Sequence, residues 1–93
     1  MTVPRFRVRQ GVVHRAVDGE MVLLDLVTEQ YFGLDPVGTR IVTRITTEPY
    51  DQAITALHAE FDVAEDTLRR DVEDLLDELI ANGLVEPVLE AES

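Results

Sequence analysis

Residues 30–36, Gln30-Tyr31-Phe32-Gly33-Leu34-Asp35-Pro36, mark the point where the chain changes from strands to helices. The first five residues are predicted to form a short strand, because two of them are aromatic. The strand is expected to stop before Asp35 and Pro36, which favour the start of a helix. Asp35 is suited to accept hydrogen bonds from the free N–H groups of a helix start, and Pro36 fits the first helical turn. The helix that follows is predicted from apolar residues at every fourth position: Val37, Ile41 and Ile45.

The residues before this point predict a three-stranded antiparallel meander. Residues 12–17 mix β-branched and polar side chains, and Asp18-Gly19 suits a two-residue hairpin turn. Residues 20–27 are apolar at nearly every position, which predicts a strand that is covered on both faces or lies centrally in its sheet. Thr28-Glu29 makes the next turn, and residues 30–34 form the third strand.

The residues after the first helix predict two more helices. The second runs from about Tyr50 to Phe61, with Ala53, Ile54, Leu57 and Phe61 facing inward. The third runs from Ala64, which offers no side-chain cap, to a stop at Asn82-Gly83. Residues 84–89 can form one short strand, and residues 90–93 are expected to fray.

This order predicts an α+β fold of the winged helix-turn-helix-like type, with a three-stranded antiparallel sheet followed by three helices. We expect one domain over residues 1–93, with a core of about residues 8–86.

The charge of the chain restricts the kind of partner. Nineteen acids and eight bases give a net charge of −11, every base is an arginine, and none follows Arg70. A nucleic-acid surface needs a basic face, so we expect no nucleic-acid or membrane partner. A neutral or basic partner fits this charge, although acidity could equally serve solubility alone.

The chain lacks the residues that most catalytic and metal sites need. It has no cysteine, and its two histidines, His14 and His58, are not spaced as metal ligands. We find no glycine-rich phosphate loop and no nucleophile beside a base. We therefore expect no enzymatic activity, no metal and no cofactor. Because no signal peptide or membrane span is evident, we expect a cytoplasmic protein.

The third helix and the third strand are the candidate binding surfaces. The helix carries an apolar arc of about 140°, wider than the roughly 100° a small core requires. Around the helix, the arc runs through Leu75, Leu68, Leu79, Val72, Leu76 and Ile80. Part of this arc could stay at the surface beside Asp71 and Glu78, or the whole arc could be core. The third strand is an edge without charge or proline, so it is either covered by the C-terminal segment or open to an added peptide strand.

Several stretches of the chain resemble the PqqD-like family. They are Asp18-Gly19-Glu20-Met21-Val22-Leu23-Leu24-Asp25, the run from Gln30 to Ile41, Phe61-Asp62-Val63 and the spaced residues from Asp71 to Leu84. The resemblance covers about residues 8–86. Two positions depart from the family pattern: Glu29, where glycine is frequent, and Ala64, where a small polar residue or proline is usual.

The resemblance implies a recognition element that binds the leader of a ribosomally made, modified peptide between the third strand and the third helix. It implies strand addition to the third strand, and it is nearest to the stand-alone proteins of lasso-peptide biosynthesis, which hold the leader for a leader peptidase. The peptide-binding residues that it implies are Gln30, Tyr31, Phe32, Gly33, Leu34, Leu68, Asp71, Val72, Leu75, Glu78 and Leu79.

Two alternatives follow from the same residues. A PqqD-type peptide chaperone would serve a radical-SAM enzyme or another modifying enzyme. A winged-helix regulator would use the third helix to read DNA, but residues 64–82 carry seven acids and only two arginines, which would repel phosphates.

Overall fold

The computed structural model describes residues 3–90 and confirms the predicted α+β fold. The three central strands and three helices follow in the predicted order, with one further strand at each end. The strands are β1 Val3–Val8, β2 Val12–Val17, β3 Glu20–Asp25, β4 Tyr31–Gly33 and β5 Val85–Glu90. The helices are α1 Pro36–Thr47, α2 Tyr50–Glu60 and α3 Glu65–Ala81.

The predicted meander is present as an antiparallel sheet in the order β2-β3-β4. Asp18 and Gly19 both have positive φ, 53° and 79°, as a two-residue hairpin turn requires. In β3 the side chains of Met21 and Leu23 are buried, whereas Val22 is exposed. The apolar run of this strand therefore reflects its central place in the sheet, and only one of its faces is covered by this chain.

Strand β3 ends at Asp25, two residues before the predicted Val27. The carboxylate of Asp25 accepts hydrogen bonds from the N–H groups of Val27 (2.9 Å) and Thr28 (3.3 Å), and these bonds turn the chain.

Strand β4 is shorter than the predicted residues 30–34. Its pairing with β3 nevertheless continues at both ends. The N–H of Asp25 donates to the carbonyl of Gln30 (2.9 Å), and that of Leu34 donates to the carbonyl of Met21 (2.8 Å).

A second sheet of two strands joins the ends of the described chain. β1, which the sequence analysis did not predict, pairs antiparallel with β5. Arg7 lies opposite Glu86, and the Arg7 Nε to Glu86 Oε2 distance is 2.6 Å. The C-terminal strand therefore covers β1, and within residues 3–90 it leaves the outer edge of β4 unpaired.

The first helix begins as predicted, with the Asp35 carboxylate accepting from the N–H of Gly38 at 2.7 Å. Its buried face differs in one position. Val37, expected to face inward, is 51% exposed, because the buried stripe is set by Gly38, packed close to Leu34, and continues through the next turns. The buried apolar residues of the helices are Ile41, Val42, Ile45, Ala53, Ile54, Leu57, Leu68, Val72, Leu76 and Leu79.

The hydroxyl of Thr39 joins α1 to the sheet where the β3–β4 pairing ends. It accepts from the N–H of Met21 at 2.8 Å and lies 3.5 Å from the carbonyl oxygen of Leu34, and Thr39 is buried. We predict that Thr39→Val destabilises the fold by about 1–3 kcal/mol, because it leaves the buried Met21 N–H without an acceptor. Thr39→Ser keeps the hydroxyl and should cost less. Urea unfolding of the two variants measures the difference, and equal losses would contradict this role.

Glu29 occupies the left-handed region with φ of 62°, which explains why glycine suits this turn. We predict that Glu29→Gly stabilises the protein by about 0.5–1 kcal/mol, the relief of strain exceeding the added freedom of the unfolded chain. Thermal unfolding should show a rise of a few degrees. Asp18→Gly is the matched control, since aspartate tolerates this conformation better than glutamate. A loss of stability in Glu29→Gly would refute the prediction.

Candidate functional site

The outer edge of β4 offers backbone hydrogen-bonding groups that residues 3–90 do not use. In an antiparallel pair, residues alternate between those bonded to the partner strand and those pointing away from it. The bonds at Gln30 and Leu34 fix this alternation, so Phe32 also faces β3. The N–H and C=O groups of Tyr31 and Gly33 consequently point to the open edge.

The side chains of β4 lie on opposite faces of the sheet. Tyr31 is 76% exposed, on the face of the sheet that points away from the helices. Phe32 is half-buried and packs against the core. Gly33 is exposed, and a Cβ atom built on it would meet no atom within 4 Å. The sheet face beside Gly33 therefore has room for a side chain.

Helix α3 carries the residues that were predicted to form one side of the peptide-binding groove. Leu75 is half-buried and packs against the core, and Asp71 and Glu78 are exposed. Leu75 and Ile80, at the two ends of the apolar arc, are the parts of it that reach the surface. The other residues of the arc are core residues, so less apolar surface of α3 is exposed than the width of the arc suggested.

Four of the predicted site residues are core residues in this structure. Leu34, Leu68, Val72 and Leu79 are each 5% exposed or less. Contact between these side chains and a peptide stays a prediction, and in this structure they belong to the hydrophobic core. The accessible predicted residues are Gln30, Tyr31, Phe32, Gly33, Asp71, Leu75 and Glu78.

A notch of about 30 Å³ lies between the β3–β4 turn and the end of α3. It is lined by Asp25, Thr28, Gln30, Tyr31, Phe32, Asn82 and Leu84. The hydrogen bond from the Val27 N–H lowers the pKa of the Asp25 carboxyl, so Asp25 itself stays charged at neutral pH. The notch can hold a water-sized group but no large side chain.

Sequence reasoning missed Asp25 and Thr28 as residues of this region. An aspartate followed by threonine three positions later is a signal for a side-chain-stabilised turn, and it could have placed both. Asn82 was predicted only as a helix stop, which it is; its side chain donates to the Glu78 carbonyl at 2.7 Å.

Among residues 3–90, no three histidine, cysteine or acidic side chains cluster so that they could hold a metal ion. Within the same range, each helix is too short or too polar to cross a membrane.

Comparisons with known proteins bear on the family and the fold of this chain. The family model of coenzyme PQQ synthesis protein D (PqqD) matches residues 20–85. A solved structure described as "TbiB1 in Complex with the TbiA(beta) Leader Peptide" is 37% identical to this chain, with a TM-score of 0.80, over 86% of this chain and 94% of that one. Another, "Lasso peptide synthetase B1 complexed with the leader peptide", is 28% identical, with a TM-score of 0.81, over 89% and 99%.

A search of curated proteins found no match. The family match nevertheless spans well over half of the chain and includes β3, β4 and all three helices. This chain therefore belongs to the PqqD family.

Proposed function

We propose that this chain is a non-catalytic domain that binds the leader of a ribosomally made precursor peptide in lasso-peptide biosynthesis. The observation that carries the proposal is the unpaired outer edge of β4, near the C-terminal end of α3, in a fold shared with two solved leader-peptide complexes. The leader adds as a fourth strand to the β2-β3-β4 sheet. The domain then delivers the bound precursor to a leader peptidase in the cytoplasm.

The backbone of β4 limits how much strand addition contributes to the free energy of leader binding. The outward groups of Tyr31 and Gly33 provide up to four hydrogen bonds, each contributing roughly 0.5–1.5 kcal/mol net. Ordering a flexible peptide costs several kcal/mol, so side chains must supply the remainder. Alternate leader residues face the groove, where apolar anchors can contact Phe32 and Leu75. We expect binding on the order of −8 to −9 kcal/mol, which is micromolar to sub-micromolar.

Titration calorimetry with the leader encoded beside this chain tests the proposal. Raising salt from about 0.05 to 0.5 M shortens the screening length several-fold and should weaken affinity less than tenfold, because exposed ion pairs contribute about 0–1 kcal/mol each. Alanine in place of an apolar anchor of the leader should cost more at either salt. Binding that vanishes at high salt yet tolerates loss of the anchors would replace a recognition groove with a nonspecific acidic surface.

Glu78 isolates the contribution of the acidic border. Its side chain is exposed and makes no described side-chain contact, so Glu78→Ala should change stability by less than about 0.5 kcal/mol. For a leader that carries lysine or arginine near its anchors, we predict an affinity loss of about two- to fivefold. Asp77→Ala removes the same charge from another face of α3 and is the control. Equal effects of the two variants on leader affinity would contradict a local role of Glu78.

Delivery to the peptidase has its own test. Wild-type domain should increase the rate at which the leader peptidase encoded in the same cluster cleaves the precursor. Cleavage that is equally fast without the domain would limit the function to binding.

A second candidate partner is a radical-SAM enzyme, as the match to the PQQ synthesis family suggests. The same leader-binding edge would then present the precursor to that enzyme. Reconstitution with each enzyme separately distinguishes the two, since only the true partner should act faster on the precursor when the domain is present.

A further inference from the structure

The side of α3 opposite Leu75 and Glu78 borders a second pocket, which we call the α3 side pocket. Its volume is about 260 Å³, and it lies between β1, the start of α2 and the second half of α3. At 100° per residue, Glu73 lies about 140° around the helix from Glu78 and about 160° from Leu75. The pocket is therefore separate from the predicted leader groove. Its lining residues are Phe6, Tyr50, Glu73, Leu76, Asp77 and Ile80.

Four of the six lining residues are apolar or aromatic. The rings of Phe6 and Tyr50 meet edge to face, with their centroids 5.8 Å apart. Leu76 is buried, whereas Ile80 is 40% exposed at the end of the apolar arc that the core leaves uncovered. Sites for drug-sized ligands usually have volumes of roughly 300–1,000 Å³. A pocket of this smaller size suits a single inserted side chain with an apolar stem.

Two carboxylates stand one helical turn apart at this pocket. Glu73 and Asp77 are exposed, and neither forms an ion pair within the part of the chain that the structure describes. Like charges four residues apart on a helix repel each other. Arg69, one turn before Glu73, is already paired with Glu65 at 3.1 Å. A cation that enters between Glu73 and Asp77 would therefore relieve an uncompensated repulsion.

The hydroxyl of Tyr50 is an unsatisfied polar group at the same place. Its oxygen is buried and has no hydrogen-bond partner among residues 3–90. Burial and, after it, the charge of Glu73 raise the pKa of Tyr50, so the phenol stays protonated at neutral pH. Buried hydroxyls in folded proteins are usually hydrogen-bonded. Because a tyrosine hydroxyl accepts as well as donates, a donor group that enters the pocket can satisfy it.

We propose that the α3 side pocket binds an arginine side chain of a partner protein. The aliphatic stem packs on Leu76 and Ile80, and the guanidinium binds the carboxylates of Glu73 and Asp77 and donates to the Tyr50 hydroxyl. Arginine fits better than lysine, because its planar group presents several donors at fixed angles and stacks on aromatic rings. The net charge of −11 favours the approach of a basic partner. This inference does not depend on leader binding.

A pair of defined peptides tests the proposal on the full chain. The probe is acetyl-leucyl-arginyl-leucine amide, and its control carries citrulline, which has nearly the shape of arginine without its charge. Nuclear magnetic resonance follows the methyl groups of Ile80 during each titration at low salt. The arginine peptide should shift these resonances and bind at least about tenfold more tightly than the citrulline peptide. A lysine peptide should bind with an intermediate affinity.

Substitutions that preserve side-chain shape locate the binding. Glu73→Gln combined with Asp77→Asn should weaken the arginine peptide at least about fivefold. Asp66→Asn combined with Asp74→Asn removes the same charge from exposed positions of α3 outside the pocket and should have little effect. Tyr50→Phe should weaken the peptide about two- to fivefold. Because it removes an unpaired hydroxyl, it should leave the thermal stability of the free protein unchanged or raise it.

Four results would overturn the proposal. Arginine and citrulline peptides could bind equally, or the two double variants could weaken binding equally, and either result would show a nonspecific attraction to an acidic chain. Butylguanidinium could bind as tightly as the arginine peptide, which would assign the pocket to a small cation. Competition between the arginine peptide and the leader encoded beside this chain would make the pocket part of the leader site. Absence of leader binding would refute the proposed function alone.

Discussion

Val72→Asp is expected to leave the protein largely unfolded at 25 °C, and any loss of peptide binding would follow from that. The Val72 side chain is 0% exposed in the middle of α3. Arg69, one turn earlier in α3, already pairs with Glu65 at 3.1 Å, and the neighbours Asp71 and Glu73 add like charge. The cost of burying an unpaired charge is several kcal/mol, against a total stability of about 5–15 kcal/mol for a domain.

Far-UV circular dichroism and urea unfolding measure this effect directly. Val72→Ala, which removes volume without adding charge, should cost about 1–3 kcal/mol and keep a cooperative transition. Leu75→Asp should be milder than Val72→Asp, because Leu75 is only half-buried and its substituted carboxylate can reach water. A Val72→Asp variant that unfolds with the wild-type midpoint would show that this face of α3 is not core.

Local chemistry explains which parts of the fold could be predicted from the sequence. The Asp18-Gly19 turn and the Asp35-Pro36 helix start depend on residues a few positions apart, and both were found. The pairing of β1 with β5 joins residues such as Arg7 and Glu86, which are 79 positions apart. Phe6 and Val8 alternate with arginines, a pattern that is typical of a strand. The partner of that strand is set by long-range packing, which no local sequence pattern records.

The location of the candidate site could be predicted from the sequence better than the accessibility of its residues. The edge strand followed from the meander, because the third strand of such a sheet has one unpaired side. The apolar arc of α3 gave the orientation of the helix, yet it could not divide core from groove. That division depends on how closely α3 packs on α2 and β5, which buries Leu68 and Leu79 but leaves Leu75 partly accessible. The small notch beside Asn82 is also lined by Asp25, where the chain turns. Because the predicted strand continued to Val27, this turn was not predicted.

Leader binding is expected to slow amide exchange at Tyr31 and Gly33 while leaving Phe32 and Leu34 nearly unchanged. The first two N–H groups point to the open edge, whereas those of Phe32 and Leu34 face β3, and the Leu34 N–H donates to the Met21 carbonyl. Only strand addition protects alternate amides of one strand; a general stabilisation of the fold would slow all four.

Nuclear magnetic resonance of labelled domain at a leader concentration about 100 times Kd should show exchange at the two outward amides slowed by up to about 100-fold. N-methylation of the leader residue that donates to the Tyr31 or Gly33 carbonyl removes one hydrogen bond and introduces a methyl group at the edge. It should weaken binding at least tenfold, whereas N-methylation one residue along, where the N–H points away from β4, should have little effect. A leader that binds tightly without the alternating protection, and that tolerates both methylations equally, would have to bind through side chains alone. The unpaired edge of β4 would then have no part in recognition.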